Sequence, residues 1–407
     1  MADIIPFKGT LYNLEKISDP SKVVAPPYDV ISKEEQDQLY NSNPYNIIRI
    51  LLGKDLPGDD EKENKYTRAA RTLKEWQEKE VLKKDKNDSI YVYEQEFSVD
   101  GQRKKRLGFL ALLKLEEFDT GRGSVYPHEY TLDAPKRDRT SLLSSIEANL
   151  GPIFALFADE DKSIDKILAE VAKSQPIMDL RDPHGMRNKL WRVSDKEKTE
   201  RITGLMKKEK IFIADGHHRY EVGLEFSKTK KDPKYGYILT YFTDLYADGI
   251  VVLPTHRLIG GLHNDVMAGL KEDLKKDFSV QKIASKNEIR KFLSGASPSE
   301  KRFAMYTKGE FTGLVLKDND LLDVAILHDM VVEPLKKKAK GNISIDFTKD
   351  IDYAVKEVDA GRFSLSIMLN ATKITEIRDV AFAGKRMPQK STYFYPKVLT
   401  GLVINVF

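Results

Sequence analysis

The stretch that decides the fold reads IFIADGHHRYEVGLEF and runs from Ile211 to Phe226. It opens with an apolar run typical of a short buried strand, and it then takes on the apolar spacing of a helix. Between the two lies Asp-Gly, a pair typical of a tight turn. Gly216 permits the sharp backbone geometry that a residue with a side chain resists. The stretch therefore predicts a strand, a turn and a helix in immediate succession.

The start of this predicted helix has the chemistry of an anion-binding site. The first N–H groups of a helix lack partners within it, and the positive end of the helix dipole favours phosphate or carboxylate there. Arg219 adds a fork-shaped donor for phosphate oxygens, and His217 and His218 can donate to phosphate or shuttle protons. Asp215 can hold a metal ion, a substrate hydroxyl or a histidine. The alternative is that Asp215 only caps the helix while the histidines pack against neighbouring residues.

Composition restricts the class of protein. Hydrophobic residues make up 41% and charged residues 32% of 407 residues, which is typical of a globular protein with a sizeable core. The 67 basic and 63 acidic side chains give a net charge of only +4, so a nucleic-acid partner is not expected. Basic clusters such as RKKR at Arg103–Arg106 lack interleaved aromatic residues, and we predict that they lie in solvated turns.

The residue inventory excludes several kinds of chemistry. The sequence has no cysteine, which excludes disulfides, thiolate metal sites, iron–sulfur clusters and cysteine nucleophiles. It contains no signal-peptide pattern at its N-terminus and no uncharged apolar segment near 18 residues, so we expect a cytoplasmic protein without a membrane partner. The GxxxxGK[ST] loop and the protein-kinase signatures are also absent from the sequence.

Strand-like and helix-like segments alternate along the whole chain. Residues 89–97 and 107–115 read as strands separated by the polar hairpin signal SVDGQRKKR, and residues 61–81 and 140–148 read as helices. This alternation predicts a mixed α/β fold. No linker composition marks a domain boundary.

Two polar clusters precede the central stretch. The segment PPYDV presents Asp29, which prolines would hold still as a catalytic carboxylate requires. An ordinary turn is the alternative. The segment YPHEYTLDAPKRDR places His128, Glu129 and Arg139 close together, a mixture that suits a zwitterion or a metal–phosphate pair. A surface loop with local salt bridges is its alternative.

Two further clusters follow the central stretch. The segment LPTHRL places His256 and Arg257 just after a predicted strand, where α/β proteins often bind ligands, and Arg257 can hold a carboxylate by two donors. Packing in the core is the alternative for His256. In MPQKSTYFYP, Lys390 can approach phosphates and the aromatic residues can stack on a base, although a buried strand explains those aromatic residues equally well.

From end to end, the chain resembles the domain-of-unknown-function family numbered 1015. The residues that carry this resemblance are spread over nearly the whole sequence. They are APPYDVIS (Ala25–Ser32), NPYNIIRI (Asn43–Ile50), HEYT (His128–Thr131), KRDR (Lys136–Arg139), IADGHHRYE, LPTHRL (Leu253–Leu258), LHDMVVEP (Leu327–Pro334) and MPQKSTYFYPKVLTGLV (Met387–Val403).

More distantly, a strand followed by DGHHR and a helix resembles the phosphate-binding motif of the ParB/sulfiredoxin-like superfamily, which includes free serine kinases. This resemblance implies a ParB/sulfiredoxin-like core with large insertions and a C-terminal α/β extension. We therefore expect a phosphate-loop-bearing catalytic region with a large insertion in residues 1–255 and an α/β region packed against it in residues 256–407. The insertion is large because 186 positions separate Asp29 from Asp215.

The function implied by the resemblance is phosphoryl transfer between ADP or ATP and a small hydroxylated metabolite, with serine or phosphoserine as the expected substrate. Asp215 and the loop Gly216–Arg219 would hold phosphate and an expected Mg²⁺ ion, together with Lys390. Asp29, or else Glu129, would accept the hydroxyl proton. A nucleotide-binding switch without transfer and a phosphate-ester hydrolase are the alternatives. The sequence leaves a homodimer open.

Overall fold

The computed structural model describes a chain that contains both helices and sheets. The described residues are 2–118, 123–131, 133–297, 299–340 and 343–407. They divide into two compact units, of which the first joins Met1–Val251 with Pro396–Phe407 and the second is Val252–Tyr395. The last segment of the chain therefore belongs to the same unit as the central stretch.

The strands are short except for one long hairpin. In chain order they are β1 (Ile4–Ile5), β2 (Thr10–Tyr12), β3 (Leu82–Lys84), β4 (Ile90–Val99), β5 (Gln102–Lys114), β6 (Val125–Tyr126), β7 (Ala148–Asn149), β8 (Ile153–Phe157), β9 (Met178–Arg181), β10 (Arg187–Val193), β11 (Ile211–Asp215), β12 (Tyr237–Asp244), β13 (Val251–Leu253), β14 (His256–Gly260), β15 (Ser279–Ile283), β16 (Glu300–Thr307), β17 (Glu310–Lys317), β18 (Ser344–Thr348), β19 (Leu365–Met368), β20 (Tyr393–Tyr395) and β21 (Asn405–Val406).

The helices alternate with these strands. They are α1 (Lys33–Ser42), α2 (Ile48–Leu51), α3 (Lys65–Glu78), α4 (Asp133–Ile146), α5 (Ser163–Val171), α6 (Lys196–Met206), α7 (His217–Thr229), α8 (Asn264–Leu274), α9 (Ile289–Ser294), α10 (Asp323–Ile326), α11 (Glu333–Lys338), α12 (Ile351–Asp359) and α13 (Ile374–Phe382). The prediction of a mixed α/β fold is confirmed. No helix in the described part of the chain has the length and apolar character needed to cross a membrane.

The first unit is built on a nine-stranded mixed sheet formed by its described residues. The strand order is β6-β11-β8-β12-β5-β4-β10-β9, and β1 pairs with β5. β11 pairs in parallel with β6 and antiparallel with β8, while β12 and β8 are parallel. One apolar cluster joins this sheet to α5 and α6, and a second joins α2, α3 and α4. The sheet thus places the end of β11 beside the start of β8.

The long hairpin β4–β5 confirms the predicted pair of strands, and it corrects the prediction for the RKKR cluster. Its turn is Asp100-Gly101, where both residues have positive φ, of 48° and 77°. Arg103–Arg106 lie in β5 rather than in a solvated turn. Alternation along the strand turns Arg106 inward, where it is fully buried against the rings of Phe154 and Tyr241.

Two helices differ in extent from their predictions. The helix predicted over 61–81 is α3, which begins after Asn64, whose side chain caps the first turn by accepting from the N–H groups of Tyr66 and Thr67. The helix predicted over 140–148 is α4, and it begins earlier, at Asp133. Pro135 does not prevent this start, because a proline in the first turn of a helix breaks no intrahelical hydrogen bond. The KRDR segment is consequently helical.

The second unit has its own sheet, of six strands among the described residues. The strand order is β15-β17-β16-β19-β14-β18, and each described pair of neighbouring strands is antiparallel. Helices α9 and α12 pack on it through an apolar cluster that includes Ile289 and Val358.

Candidate functional site

The junction between β11 and α7 has the geometry predicted from the sequence. The pairing of β11 with β8 shifts register between Ile213 and Asp215. Gly216 follows with φ of 94°, a left-handed conformation, and α7 begins at His217. A Cβ on Gly216 would lie 2.9 Å from Ile153 and 3.0 Å from Nη2 of Arg219. Only glycine therefore fits both the backbone conformation and the space at this position.

The first turn of α7 has no negative side chain and no side-chain cap among the described residues. Gly216 has no side chain with which to cap the helix, and no acidic residue occurs in the first turn. Gly216, and not Asp215, therefore occupies the N-cap position of α7. The positive end of the dipole of α7 therefore lies at a turn without acidic side chains, a condition that favours an anion.

Arg219 lies across this turn. Its Nη2 donates to Oδ2 of Asp215 at 2.8 Å, and its Nη1 donates to the carbonyl oxygen of Pro152. Its Nε is buried, and no described residue provides it with a hydrogen-bond partner. A buried donor without a partner costs about 1–3 kcal/mol. A ligand atom that accepted from Nε would remove that cost.

Sequence reasoning missed one residue at this junction, Lys397. Its Nζ is ion-paired with Oδ1 of Asp215, and the two side chains are 12% and 13% exposed. The sequence signal that could have identified Lys397 is its place in the apolar run YFYPKVL. An apolar run is typical of a buried segment, and a lysine in a buried segment needs an acidic partner. Asp215 therefore lies between two cations, one from its own helix turn and one from the end of the chain.

The two histidines of the motif have different surroundings. His217 is buried, and its ring lies edge-on against His128 with centroids 4.7 Å apart. Burial, followed by the proximity of His128, lowers the pKa of His217 to about 3, so it is neutral near pH 7. Its Nε2 accepts from the backbone N–H of His128 at 3.3 Å. His217 thus holds the HEYT segment against α7, while His218 is only partly buried.

His128 and Glu129 are adjacent to each other in space as well as in sequence. Nδ1 of His128 lies 2.7 Å from the carbonyl oxygen of Ile213, which requires a proton on Nδ1. Its Nε2 lies 3.5 Å from Oε1 of Glu129. The predicted substrate residues His128 and Glu129 are therefore beside the DGHHR motif, and their role stays a prediction.

Three of the sequence motifs line one cavity of about 70 Å³. Pro27 and Tyr28 come from PPYDV, Arg139 from KRDR and Arg219 from DGHHR, and Thr400 comes from the end of the chain. Much of the remaining wall is aliphatic, from α4 and the segment that follows it. Among the described residues, the charged side chains in the wall are the two arginines, each of which pairs with an aspartate.

Arg139 is held firmly in that wall. It is 6% exposed, its guanidinium lies 4.1 Å from the ring centre of Tyr28, and its Nη1 donates to the carbonyl oxygen of Leu51 at 3.0 Å. Its Nε donates to Asp138 at 2.8 Å. Burial would raise the pKa of Asp138, but Arg139, Tyr66 and Lys65 outweigh it, and the pKa lies below its usual range. The helix α4 thus presents a fixed cation, and the loop given as the alternative does not apply to the KRDR part of the segment.

Asp29 is exposed in a 3₁₀ turn, Tyr28–Val30, directly beside the cavity residue Tyr28.

Three further predicted site residues, His256, Arg257 and Lys390, belong to the second unit. His256 and Arg257 open strand β14 and are 1% and 4% exposed. Burial lowers the pKa of His256 to about 4, and Arg257 donates to the carbonyl oxygen of Thr255. Lys390 is exposed.

The side chains around Asp215 do not fit a resident magnesium ion. Both carboxylate oxygens already contact cations, and Mg²⁺ favours carboxylates and water as ligands. In the described part of the chain, no three histidine or acidic residues form a group able to hold a metal. Mg²⁺ therefore stays a prediction for a bound nucleotide and is not assigned to Asp215.

Several solved structures are similar to this chain at low identity. A conserved hypothetical protein from Pyrococcus furiosus has 14% identity and a TM-score of 0.39, with 68% of this chain and 89% of that chain covered. A free serine kinase in complex with AMP has 12% identity and a TM-score of 0.40, with 70% and 88% covered. SbnI from Staphylococcus aureus, truncated at its C-terminus, has 11% identity and a TM-score of 0.38, with 72% and 85% covered.

These likenesses assign no activity to the chain. No curated protein matches it. The family model described as protein of unknown function (DUF1015) matches residues 4–344, which is most of the chain. The chain therefore belongs to the DUF1015 family.

Proposed function

We propose that this protein transfers a phosphoryl group between a nucleotide, ADP or ATP, and a small hydroxylated metabolite. Serine and phosphoserine are the substrate pair implied by the sequence resemblance. The observation that carries the proposal is the convergence of PPYDV, KRDR and DGHHR on one cavity whose described charged side chains are Arg139 and Arg219.

The charge balance supports an anionic ligand. Two cations, Arg219 and Lys397, converge on one carboxylate, Asp215, beside the start of α7. Two unit charges 4 Å apart interact by about 4 kcal/mol at the effective dielectric constant of a protein surface. A phosphate placed here would gain that attraction together with the first-turn N–H groups.

Phosphoryl transfer mainly requires positioning and neutralisation of charge, and the site provides side chains for both. In the proposed reaction, the hydroxyl oxygen of the metabolite attacks the terminal phosphorus of the nucleotide. The P–O bond to the nucleoside diphosphate breaks as the new P–O bond forms, and the hydroxyl proton passes to a carboxylate. Asp29 is the proposed acceptor because it is exposed beside Tyr28, and Glu129 is the alternative.

The two arginines have separate proposed roles. Arg219 contacts the phosphate that lies at the start of α7, where its Nε is without a partner among the described residues. Arg139, fixed by Asp138 and by the ring of Tyr28, holds the carboxylate or remaining phosphate charge of the metabolite. The aliphatic wall restricts the access of water to both guanidinium groups, which strengthens their attraction for an anion.

Ligand binding is tested by thermal unfolding with ADP, ATP, AMP and phosphoserine, each with and without Mg²⁺. A ligand that binds only the folded state raises the unfolding temperature. We expect a rise for the wild type with ADP or ATP, a smaller rise for Arg219→Lys and none for Arg219→Met. The matched control is Arg201→Met, at an exposed position on α6. An unchanged nucleotide response in Arg219→Met would contradict the proposed site.

Turnover is tested by incubating the protein with phosphoserine, with and without ADP. ATP formed only when ADP is present supports the transferase. Inorganic phosphate released without ADP identifies a phosphate-ester hydrolase instead, and nucleotide binding without either product identifies a binding protein. The same measurement on Asp29→Asn and Glu129→Gln distinguishes the two candidate proton acceptors, because only the acceptor's variant should lose most of kcat.

A further inference from the structure

The C-terminal segment places a lysine beside the carboxylate of Asp215 in the first unit. Lys397 extends its Nζ to Oδ1 of Asp215, while Arg219 contacts Oδ2 of the same carboxylate. Asp215 directly precedes Gly216, so this ammonium group is held next to the start of α7. Lys397 and Asp215 are thus in contact although 182 positions separate them in the sequence.

The backbone that carries Lys397 is fixed by side chains buried in the sheet. The carbonyl oxygen of Pro396 accepts from Nη2 of Arg106 at 2.6 Å, and that of Lys397 accepts from Nε2 of Gln95 at 3.1 Å. Arg106 and Gln95 also hydrogen-bond to each other, and both are 0% exposed. Because this network joins the hairpin β4–β5 to the end of the chain, it limits where Nζ of Lys397 can move.

The buried residue Arg106 also interacts electrostatically with Asp215. Burial lowers the pKa of Arg106, and the negative charge of Asp215 is among the groups that act in the opposite direction. Arg106 therefore lies within electrostatic reach of Asp215, which already pairs with two other cations.

We infer that Lys397 is a phosphate-binding residue of this site, and that its ammonium group contacts the terminal phosphate of the nucleotide beside Arg219. The inference rests on the proposed function. Lys397 supplies a compact charge, while Arg219 supplies a planar fork, and sites for phosphoryl transfer use both kinds of cation. Asp215 holds the two cations in place until the anion binds.

The test is the dissociation constant for ADP, measured by calorimetry on the full chain at low salt. We expect Lys397→Met to weaken ADP binding by at least tenfold and Lys397→Arg to weaken it less. The control Lys83→Met, at an exposed position on β3, should bind ADP as the wild type does. Unfolding temperatures without ligand show whether each variant remains folded.

A second variant separates ligand contact from neutralisation of Asp215. If Lys397 only neutralises Asp215, the double variant Asp215→Asn with Lys397→Met regains the wild-type affinity for ADP, and the inference is overturned. If Lys397 contacts phosphate, the double variant stays at least tenfold weaker. Wild-type affinity in Lys397→Met would also overturn the inference while leaving the proposed function intact. Failure of the wild type to bind ADP would contradict both the inference on Lys397 and the proposed function.

Discussion

Replacing Gly216 by alanine should destabilise the first unit and displace Arg219. The backbone at this position has φ of 94°, and a left-handed conformation costs a residue with a Cβ about 1–2 kcal/mol. The new methyl group would also lie 2.9 Å from Cγ2 of Ile153 and 3.0 Å from Nη2 of Arg219. Overpacking of that kind costs about 1–3 kcal/mol. The total expected loss in the free energy of unfolding is about 2–5 kcal/mol.

The matched control is Gly185→Ala in the same unit. Gly185 has φ of 81°, and no described atom lies within 4 Å of the position that its Cβ would occupy. Both variants share the left-handed backbone penalty and the loss of freedom in the unfolded chain. The difference between them therefore isolates the contacts around Gly216.

The assay is urea unfolding of the wild type and both variants, followed by the thermal response to ADP. We expect Gly216→Ala to be less stable than Gly185→Ala by about 1–3 kcal/mol and to lose the ADP response that Gly185→Ala keeps. Equal stabilities would refute the close packing inferred at the junction. Equal ADP responses with unequal stabilities would refute the link between that packing and the site.

Three further predictions concern the core of the first unit. Tyr93→Phe should lower the free energy of unfolding by about 1–2 kcal/mol in urea, since its buried hydroxyl donates to Asn188 at 2.5 Å; no loss would mean that the hydrogen bond is not formed. Asp244→Asn should cost about 1–3 kcal/mol, because buried Asp244 accepts from Lys162 and two backbone N–H groups; wild-type urea unfolding would contradict this. The pKa of His217 falls from 6.5 to about 3 on folding, so the unfolded chain binds the extra proton, and stability is lost as the pH falls from 6.5 towards 3. Between pH 7 and pH 5 the part of this loss due to His217 is about 2 kcal/mol, and His217→Gln should remove that part, whereas an unchanged pH dependence would show that His217 is protonated in the folded state.

Local sequence was sufficient wherever neighbouring residues decide the conformation. The strand at Ile211, the glycine turn and the helix at His217 follow from apolar periodicity and from the special backbone freedom of one residue. The hairpin at Asp100-Gly101 follows for the same reason. These signals depend only on neighbouring residues, so they predict the local structure without knowledge of which strands pair in the sheet.

The RKKR cluster shows where such reading fails. Its composition is typical of a solvated turn, yet Arg106 is fully buried. Its charge is tolerated because two aromatic rings, Gln95 and the carbonyl oxygen of Pro396 surround it. Pro396 is 290 residues away, so no local pattern could have predicted the pairing.

By itself, the sequence determined the α/β alternation, the family, and the residues DGHHR that open α7, because periodicity, glycine and charge act over a few neighbouring positions. Only the tertiary structure decided that Tyr28, Arg139 and Arg219 share a cavity and that Lys397 pairs with Asp215. It also decided that His217 is buried and that its pKa is lowered to about 3. The physical reason is that burial and ion pairing depend on which distant segments the sheet brings together.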